Sequence, residues 1–156
     1  MTIFTSGIHG PAGNPSGAQG GIIQIRQTIY KTDQSFSTTN SWFPTGLACA
    51  ISPTSTNNHV FVMCQLTFQP QSAAILLFRV SKPNSNYLER GVSGGGQQCT
   101  VGGTQDGSRG AYPSFSLLDT NIATTSSTNY DVQAYCHQSS RINGRDTDYR
   151  GISVLT

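Results

Sequence analysis

The stretch that decides the fold is HVFVMCQLTF, residues 59–68. Every second residue is apolar along one face, which consists of Val60, Val62, Cys64, Leu66 and Phe68. The other face begins with Phe61 and Met63 and then turns polar at Gln65. An alternation with a period of two residues predicts a β-strand with one buried side.

The next apolar stretch, AAILLFRV at residues 73–80, is apolar on both faces. A strand with one solvated face should alternate cleanly, so this pattern indicates that both sides are covered. A chain of this size has one core, and the second apolar face must meet either a covering loop or another subunit. A subunit interface is favoured because the chain has few charges. Its candidate residues are Phe61, Met63, Leu76 and Phe78.

The remaining sequence repeats this pattern of short apolar segments between turn signals. Strong helix formers are scarce, with one Glu and two Lys in 156 residues, so helices longer than one turn are not expected. Strands are predicted at 21–31, 46–53, 59–68, 73–82, 85–93, 112–119, 129–138 and 150–156, with shorter pairings at 34–43 and 97–102. The sequence therefore predicts an all-β, antiparallel sandwich or barrel that forms one domain over residues 21–156.

Residues 1–20 are of a different character. The stretch GPAGNPSGAQGG at 10–21 has five glycines, two prolines and no apolar residue larger than alanine, so it cannot contribute to a core. It is either a leader without a role or an extended arm that lies on another molecule. The candidate contacts of such an arm are Ile3, Phe4, Ile8, Pro11 and Pro15.

The charge balance excludes several classes of partner. The formal net charge of +2, without a run of like charges, does not favour nucleic acid or an anionic membrane surface. Most arginines have acidic neighbours, so the aromatic residues lack the clustered positive charge of a base-stacking face. The start of the chain lacks the pattern of a signal peptide, and no apolar run is long enough to span a membrane.

No arrangement of residues predicts catalysis, and neither a metal nor a cofactor is expected. His9, His59 and His137 have no metal-ligand spacing, and the four cysteines are too far apart for a CxxC knuckle. The cysteines are predicted to be buried thiols, with a Cys49–Cys64 disulfide as the alternative. The serine of SGGGQ lacks the context of a nucleophile elbow.

The closing segment RINGRDTDYRGISVLT, residues 141–156, concentrates charge. Asn143 and Gly144 are a strong signal for a two-residue hairpin. The arginines around Asp146 and Asp148 would lower the pKa of either carboxyl group, which argues against a general acid. The alternatives are a solvated turn or a partly buried cluster at a subunit boundary. The cluster would consist of Arg145, Asp146, Asp148 and Arg150.

Four blocks in order carry a family resemblance: GGIIQIRQTIYKTDQSFSTTN, GLACAISPTSTNNHVFVMCQLTF, FSLLDTNIATTSSTNYDVQAY and INGRDTDYRGISVLT. Over residues 20–156 the chain resembles a family of small structural proteins of tailed phages, especially cyanobacterial ones. The resemblance implies a β-sandwich of jelly-roll type that assembles as a trimer on the outside of a virion. It also implies synthesis in the cytoplasm of a bacterial host.

Members of this family occur as tail-fibre tips and as free-standing virion proteins. Only about 20 residues precede the domain here, which favours a free-standing capsid decoration (cement) protein that binds the major capsid protein and stabilises the head. The alternative is a receptor-binding tip whose glycine-rich loop at 91–110 and nearby tyrosines contact a glycan on the host surface. A polysaccharide hydrolase would require a pair of carboxylates that the sequence does not offer.

Overall fold

The computed structural model describes residues 22, 24–37, 39–83, 86–88, 98–105, 110–144, 151 and 153–156. These residues form twelve strands and no α-helix. The strands are β1 (Thr28–Tyr30), β2 (Gln34–Phe36), β3 (Ser41–Ile51), β4 (Val60–Gln65), β5 (Phe68–Pro70), β6 (Ala74–Lys82), β7 (Asn86–Tyr87), β8 (Val101–Gln105), β9 (Ser114–Asp119), β10 (Thr128–Cys136), β11 (Ser140–Ile142) and β12 (Ser153–Leu155).

The strands form three antiparallel sheets. Sheet A has the order β1-β12-β4-β9, and sheet B has the order β2-β11-β5. Sheet C has the order β3-β10-β6-β7, and β8 also pairs with β6. The predicted all-β antiparallel class is confirmed, and the arrangement is consistent with a β-sandwich.

The core lies between the inner faces of the sheets. Strand β4 alternates as the sequence predicts: Val60, Val62 and Cys64 are buried, and the residues between them are exposed. The inner face of β6 packs into the same cluster through Leu76, Phe78 and Val80, and sheet B contributes further apolar residues such as Phe68. Burying apolar side chains from all three sheets in one cluster is the main stabilising contribution to this fold.

Strand β3 reaches its length of 11 residues through an irregularity in its middle. Its register with β10 shifts between Asp131 and Gln133, where Pro44 and Ala48 of β3 pair on either side. Proline cannot donate to a ladder, and a bulge is one of the few places where a sheet tolerates it. Gly46 takes a φ of 81° there, in the region that favours glycine. The Thr45 hydroxyl donates to the Val132 carbonyl and keeps the bulge attached to β10.

The residues at 143 and 144 do not form the predicted two-residue hairpin. The strand before them, β11, belongs to sheet B, whereas the strand after them, β12, belongs to sheet A. Asn143 does adopt a left-handed conformation, with a φ of 61°. Its side-chain amide donates to the carbonyls of Tyr30 and Thr32, and its Oδ1 accepts from the Ser153 hydroxyl at 2.7 Å. The Asn-Gly pair therefore lies where the chain passes from sheet B to sheet A. The hydrogen bonds of the buried Asn143 side chain hold it in this place.

Several other predicted strands differ in extent from the observed ones, and for two of them the pairing explains the difference. The run 59–68 divides into β4 and β5, because the chain leaves the sheet A ladder after Gln65 and enters sheet B at Phe68. Of the described residues in the run 21–31, Thr28–Tyr30 form a strand, because pairing with β12 begins at Thr28. The proposed arm at residues 1–20 lies outside the described residues.

Candidate interaction surfaces

The outward face of sheet A carries a group of exposed apolar side chains. Phe61 and Met63 point outward from β4 and are 58% and 53% exposed. Leu118 of β9 is the direct cross-strand neighbour of Phe61, and Ile29 of β1 lies across β12 on the same sheet. With Ile25, which is also exposed, these residues are called the outer apolar surface here. An apolar group of this kind on one side of a sheet is a candidate contact surface, because the largest exposed apolar patch of a protein is often functional.

A groove of about 570 Å³ opens beside this surface. The side chains that line it include the exposed Ile22, Ile25, Phe61 and Met63 and, from β3, Cys49 and Ile51. Among the described residues that line it, Arg26 is the one Asp, Glu, Lys or Arg. We call this feature the apolar groove.

The predicted subunit-interface residues do not share one surface. Phe61 and Met63 lie on the outer apolar surface, as a contact role requires. Leu76 and Phe78 are only 3% and 2% exposed and pack in the core of the single chain. They are therefore reassigned from the interface to the core, because a second copy could not reach them.

The other predicted contacts lie outside the described residues. These are the arm residues Ile3, Phe4, Ile8, Pro11 and Pro15, and the charged residues Arg145, Asp146, Asp148 and Arg150. The neighbouring Arg141 is described, and its Nε donates to the Ser35 hydroxyl of β2 at 2.9 Å.

The outward face of sheet C carries an arginine between two aromatic rings, which the sequence did not predict. The Arg79 guanidinium carbon lies 3.9 Å from the centre of the Trp42 ring and 3.8 Å from that of Tyr87. Its Nε donates to Gln133 Oε1 at 2.8 Å. This stack covers part of the second apolar face of β6 from within the chain. The only hint in the sequence was the arginine itself, in an otherwise apolar strand.

A buried carboxylate ties sheet A to sheet C. Asp119 at the end of β9 is 3% exposed and accepts from the Tyr130 hydroxyl of β10 at 2.7 Å. Lys82 of β6 forms an ion pair with it, with Nζ 2.8 Å from Oδ2. Burial, the hydrogen bond to Asp119 and the negative charge of that carboxylate raise the pKa of Tyr130 far above its usual value. Because Asp119 lies in sheet A and both partners lie in sheet C, the cluster is a structural link between the two sheets.

The four cysteines are free thiols. Cys64 and Cys136 are buried, whereas Cys49 and Cys99 are partly exposed. Burial raises the pKa of the Cys64 thiol to about 12, so that at neutral pH it is a small apolar side chain and not a nucleophile.

Within the described ranges, His, Cys, Asp and Glu side chains form no group of three or more that could hold a metal ion. Over those ranges there is also no helix with the length and apolar character needed to cross a bilayer. Neither a known protein-family model nor a curated protein matches the sequence.

Proposed function

We propose that this protein is a structural component of a phage virion: a capsid decoration protein of jelly-roll type that binds the outside of the assembled head as a trimer. The observation that carries the proposal is the outer apolar surface, which a single chain leaves exposed. The class of virion protein comes from the resemblance of residues 20–156 to small phage structural proteins.

The size of the outer apolar surface supports a protein partner. Its five large side chains, each about half exposed, present on the order of 400 Å² of apolar area. One side of a standard protein interface buries roughly 800 Å², of which somewhat more than half is apolar. The surface therefore supplies most of the apolar area that one such contact needs.

The proposed mechanism is thermodynamic linkage between binding of the protein and stability of the assembled shell. A protein that binds the assembled shell, and not the free subunits, stabilises the shell by mass action. In a trimer, each weak contact with the major capsid protein is strengthened by the effective concentration that the other two contacts create. Neither step requires catalysis or a cofactor, and the arm at residues 1–20 would add contacts with neighbouring capsid subunits.

The number of copies per virion tests the location. A decoration protein should be present in hundreds of copies, because it follows the lattice of the head, and quantitative gel analysis of purified particles would measure this. A few copies to a few dozen copies would contradict the capsid proposal and indicate the tail.

Deletion of residues 1–20 tests the arm. The truncated protein should remain a folded trimer by sedimentation but should no longer bind isolated heads in a pelleting assay. Full occupancy of the heads by the truncated protein would contradict the proposed role of the arm.

A second candidate function is a tail-fibre tip that contacts a host glycan. It is favoured by Tyr112, which is 67% exposed and follows the glycine-rich stretch 91–110 by two positions in the sequence. Exposed aromatic rings are suited to stacking against sugars. Binding of the purified protein to host surface polysaccharide, with loss of binding in Tyr112→Ala, would support this function over the first.

A further inference from the structure

The apolar groove lies in line with strand β12. In sheet A, β12 runs between β1 and β4. Its ladder with β4 ends where Thr156 and Met63 exchange two backbone hydrogen bonds, of 2.7 and 2.9 Å. Past this pair, Phe61 of β4 and Ile25 before β1 line the groove. The groove therefore lies where one more short strand, in line with β12, would fit between β4 and the segment before β1.

The backbone of Phe61 faces this place. In an antiparallel ladder, alternate residues of a strand direct their N–H and C=O groups to the same neighbour. Met63 directs both groups to Thr156, so Phe61, two residues earlier, directs its own groups to the same side. Among the residues that the structure describes, no backbone group bonds to Phe61 there. A strand edge of this kind is a site for β-augmentation.

The lining defines what kind of segment fits. Successive side chains of a strand point to opposite faces of the sheet. Of the residues that line the groove, Cys49 and Ile51 of β3 pack against the core, whereas Phe61 and Ile25 are exposed. A fitting strand therefore has apolar residues at two successive positions and carries no charge. It must also be a single segment, because the groove is flanked on two sides and the edge of a folded sheet could not enter it.

The sequence before Ile22 contains one such segment. Residues 2–5, TIFT, place Ile3 and Phe4 side by side between threonines. The residues between this segment and Ile22 are rich in Gly and Pro, and Ile22 itself lines the groove. A tether of this length and composition spans about 20–25 Å on average, which reaches the groove. It would hold the segment there at an effective concentration on the order of millimolar.

We propose that residues 2–5 dock in the apolar groove of the same chain as a short strand that pairs with the backbone of Phe61. One of Ile3 and Phe4 then packs on Cys49 and Ile51, and the other extends the outer apolar surface. The inference does not rest on the virion role. In a decoration protein, however, the groove and the shell would compete for the same two side chains.

Disulfide trapping tests the proposal in the full chain, since the partly exposed Cys49 lines the groove. The variants Ile3→Cys and Phe4→Cys are each exposed to oxidised glutathione, and bonds to Cys49 within one chain are identified by peptide mass mapping. Because a strand alternates, one of the two should form the bond at least about tenfold faster than the other. Ser16→Cys, in the tether, is the matched control and should react as slowly as the slower variant.

Three outcomes would overturn the proposal. No bond to Cys49 from either position would show that the segment does not enter the groove. Equal rates from all three positions would show mere proximity through the tether. Bonds between two chains would show that the segment docks in a second copy and not in its own.

Hydrogen exchange gives a second test that needs no new cysteine. In the wild-type chain the Phe61 amide should be protected, and in an Ile3→Asp/Phe4→Asp variant it should exchange at least about tenfold faster. The Val62 amide, which faces β9, is the internal control and should not change. An unchanged Phe61 amide would contradict strand pairing.

Discussion

At the scale of single residues, the polar link between Asp119, Tyr130 and Lys82 is the part of the core most open to test. The three side chains come from three strands in two sheets, and each polar group is satisfied by another. The buried Asp119 carboxylate also accepts from the Asn121 N–H, and it is costly to disturb because any partner that is removed leaves a desolvated group behind.

Replacing Tyr130 by Phe should lower the free energy of unfolding by roughly 1.5 kcal/mol, since a buried hydrogen bond to a charged group is lost. Urea unfolding followed by circular dichroism would measure the change. Tyr112→Phe removes a hydroxyl at an exposed position and should leave stability unchanged. Equal stability of Tyr130→Phe and the wild type would contradict a stabilising role for this link.

The raised pKa of Tyr130 also predicts how the stability of the protein changes at alkaline pH. Its pKa is raised in the folded state, so its contribution to stability is fully present below the unfolded-state value of about 10 and is lost as pH rises above it. Stability should therefore fall more steeply with pH above about 10 in the wild type than in Tyr130→Phe. The raised pKa of Cys64 adds a loss that both proteins share. Parallel pH profiles of the two proteins would contradict this assignment.

The buried thiols should resist modification. Cys64 and Cys136 should not react with a thiol-specific disulfide reagent at neutral pH while the protein is folded, because both are buried and both have a raised pKa. The partly exposed Cys99 is the reference that should react. Mass mapping of the labelled peptides, with and without denaturant, would identify the sites. Labelling of Cys64 in the folded protein would contradict its burial.

At the scale of elements, the bulge in β3 depends on a glycine. A Cβ added to Gly46 would lie 3.0 Å from the Tyr30 hydroxyl, and its positive φ is unfavourable for alanine. Gly46→Ala should therefore reduce the free energy of unfolding by roughly 1–2 kcal/mol or more. Gly103→Ala in β8 is a suitable control, since a Cβ there meets no atom within 4 Å. Equal urea midpoints for the two variants would contradict the need for glycine in the bulge.

The buried side of a strand could be predicted where one face of that strand is polar. It stayed ambiguous where both faces are apolar. In β4 the change to Gln65 distinguishes the inner face from the outer one, and the exposure of Phe61 follows from that pattern. In β6 both faces are apolar, so nothing in the sequence shows which one enters the core. The Arg79 stack with Trp42 and Tyr87 covers part of the outer face, through residues that are far apart in sequence. Single-strand patterns cannot predict such a contact.

At the scale of the whole molecule, the outer apolar surface predicts self-association. Met63→Asp should shift the protein towards the monomer in sedimentation velocity, because a charge at the centre of an apolar contact is desolvated without a partner. The circular dichroism spectrum should not change, since Met63 points outward. Ile75→Asp introduces the same charge on the outer face of sheet C and should leave the assembly intact. A wild-type protein that is monomeric at high concentration would contradict the proposed trimer.

The position of β12 has a consequence for how the protein reaches its native state. Residues near the start of the described chain pair with residues at its end: the Gln27 amide reaches the Thr156 hydroxyl, 129 positions away. Because β12 is an inner strand of sheet A, that sheet cannot be completed until residues 153–155 have been translated. Contacts this distant along the chain slow the search for the native state. Until then, the strands on either side of β12 present unpaired edges, and folding competes with aggregation.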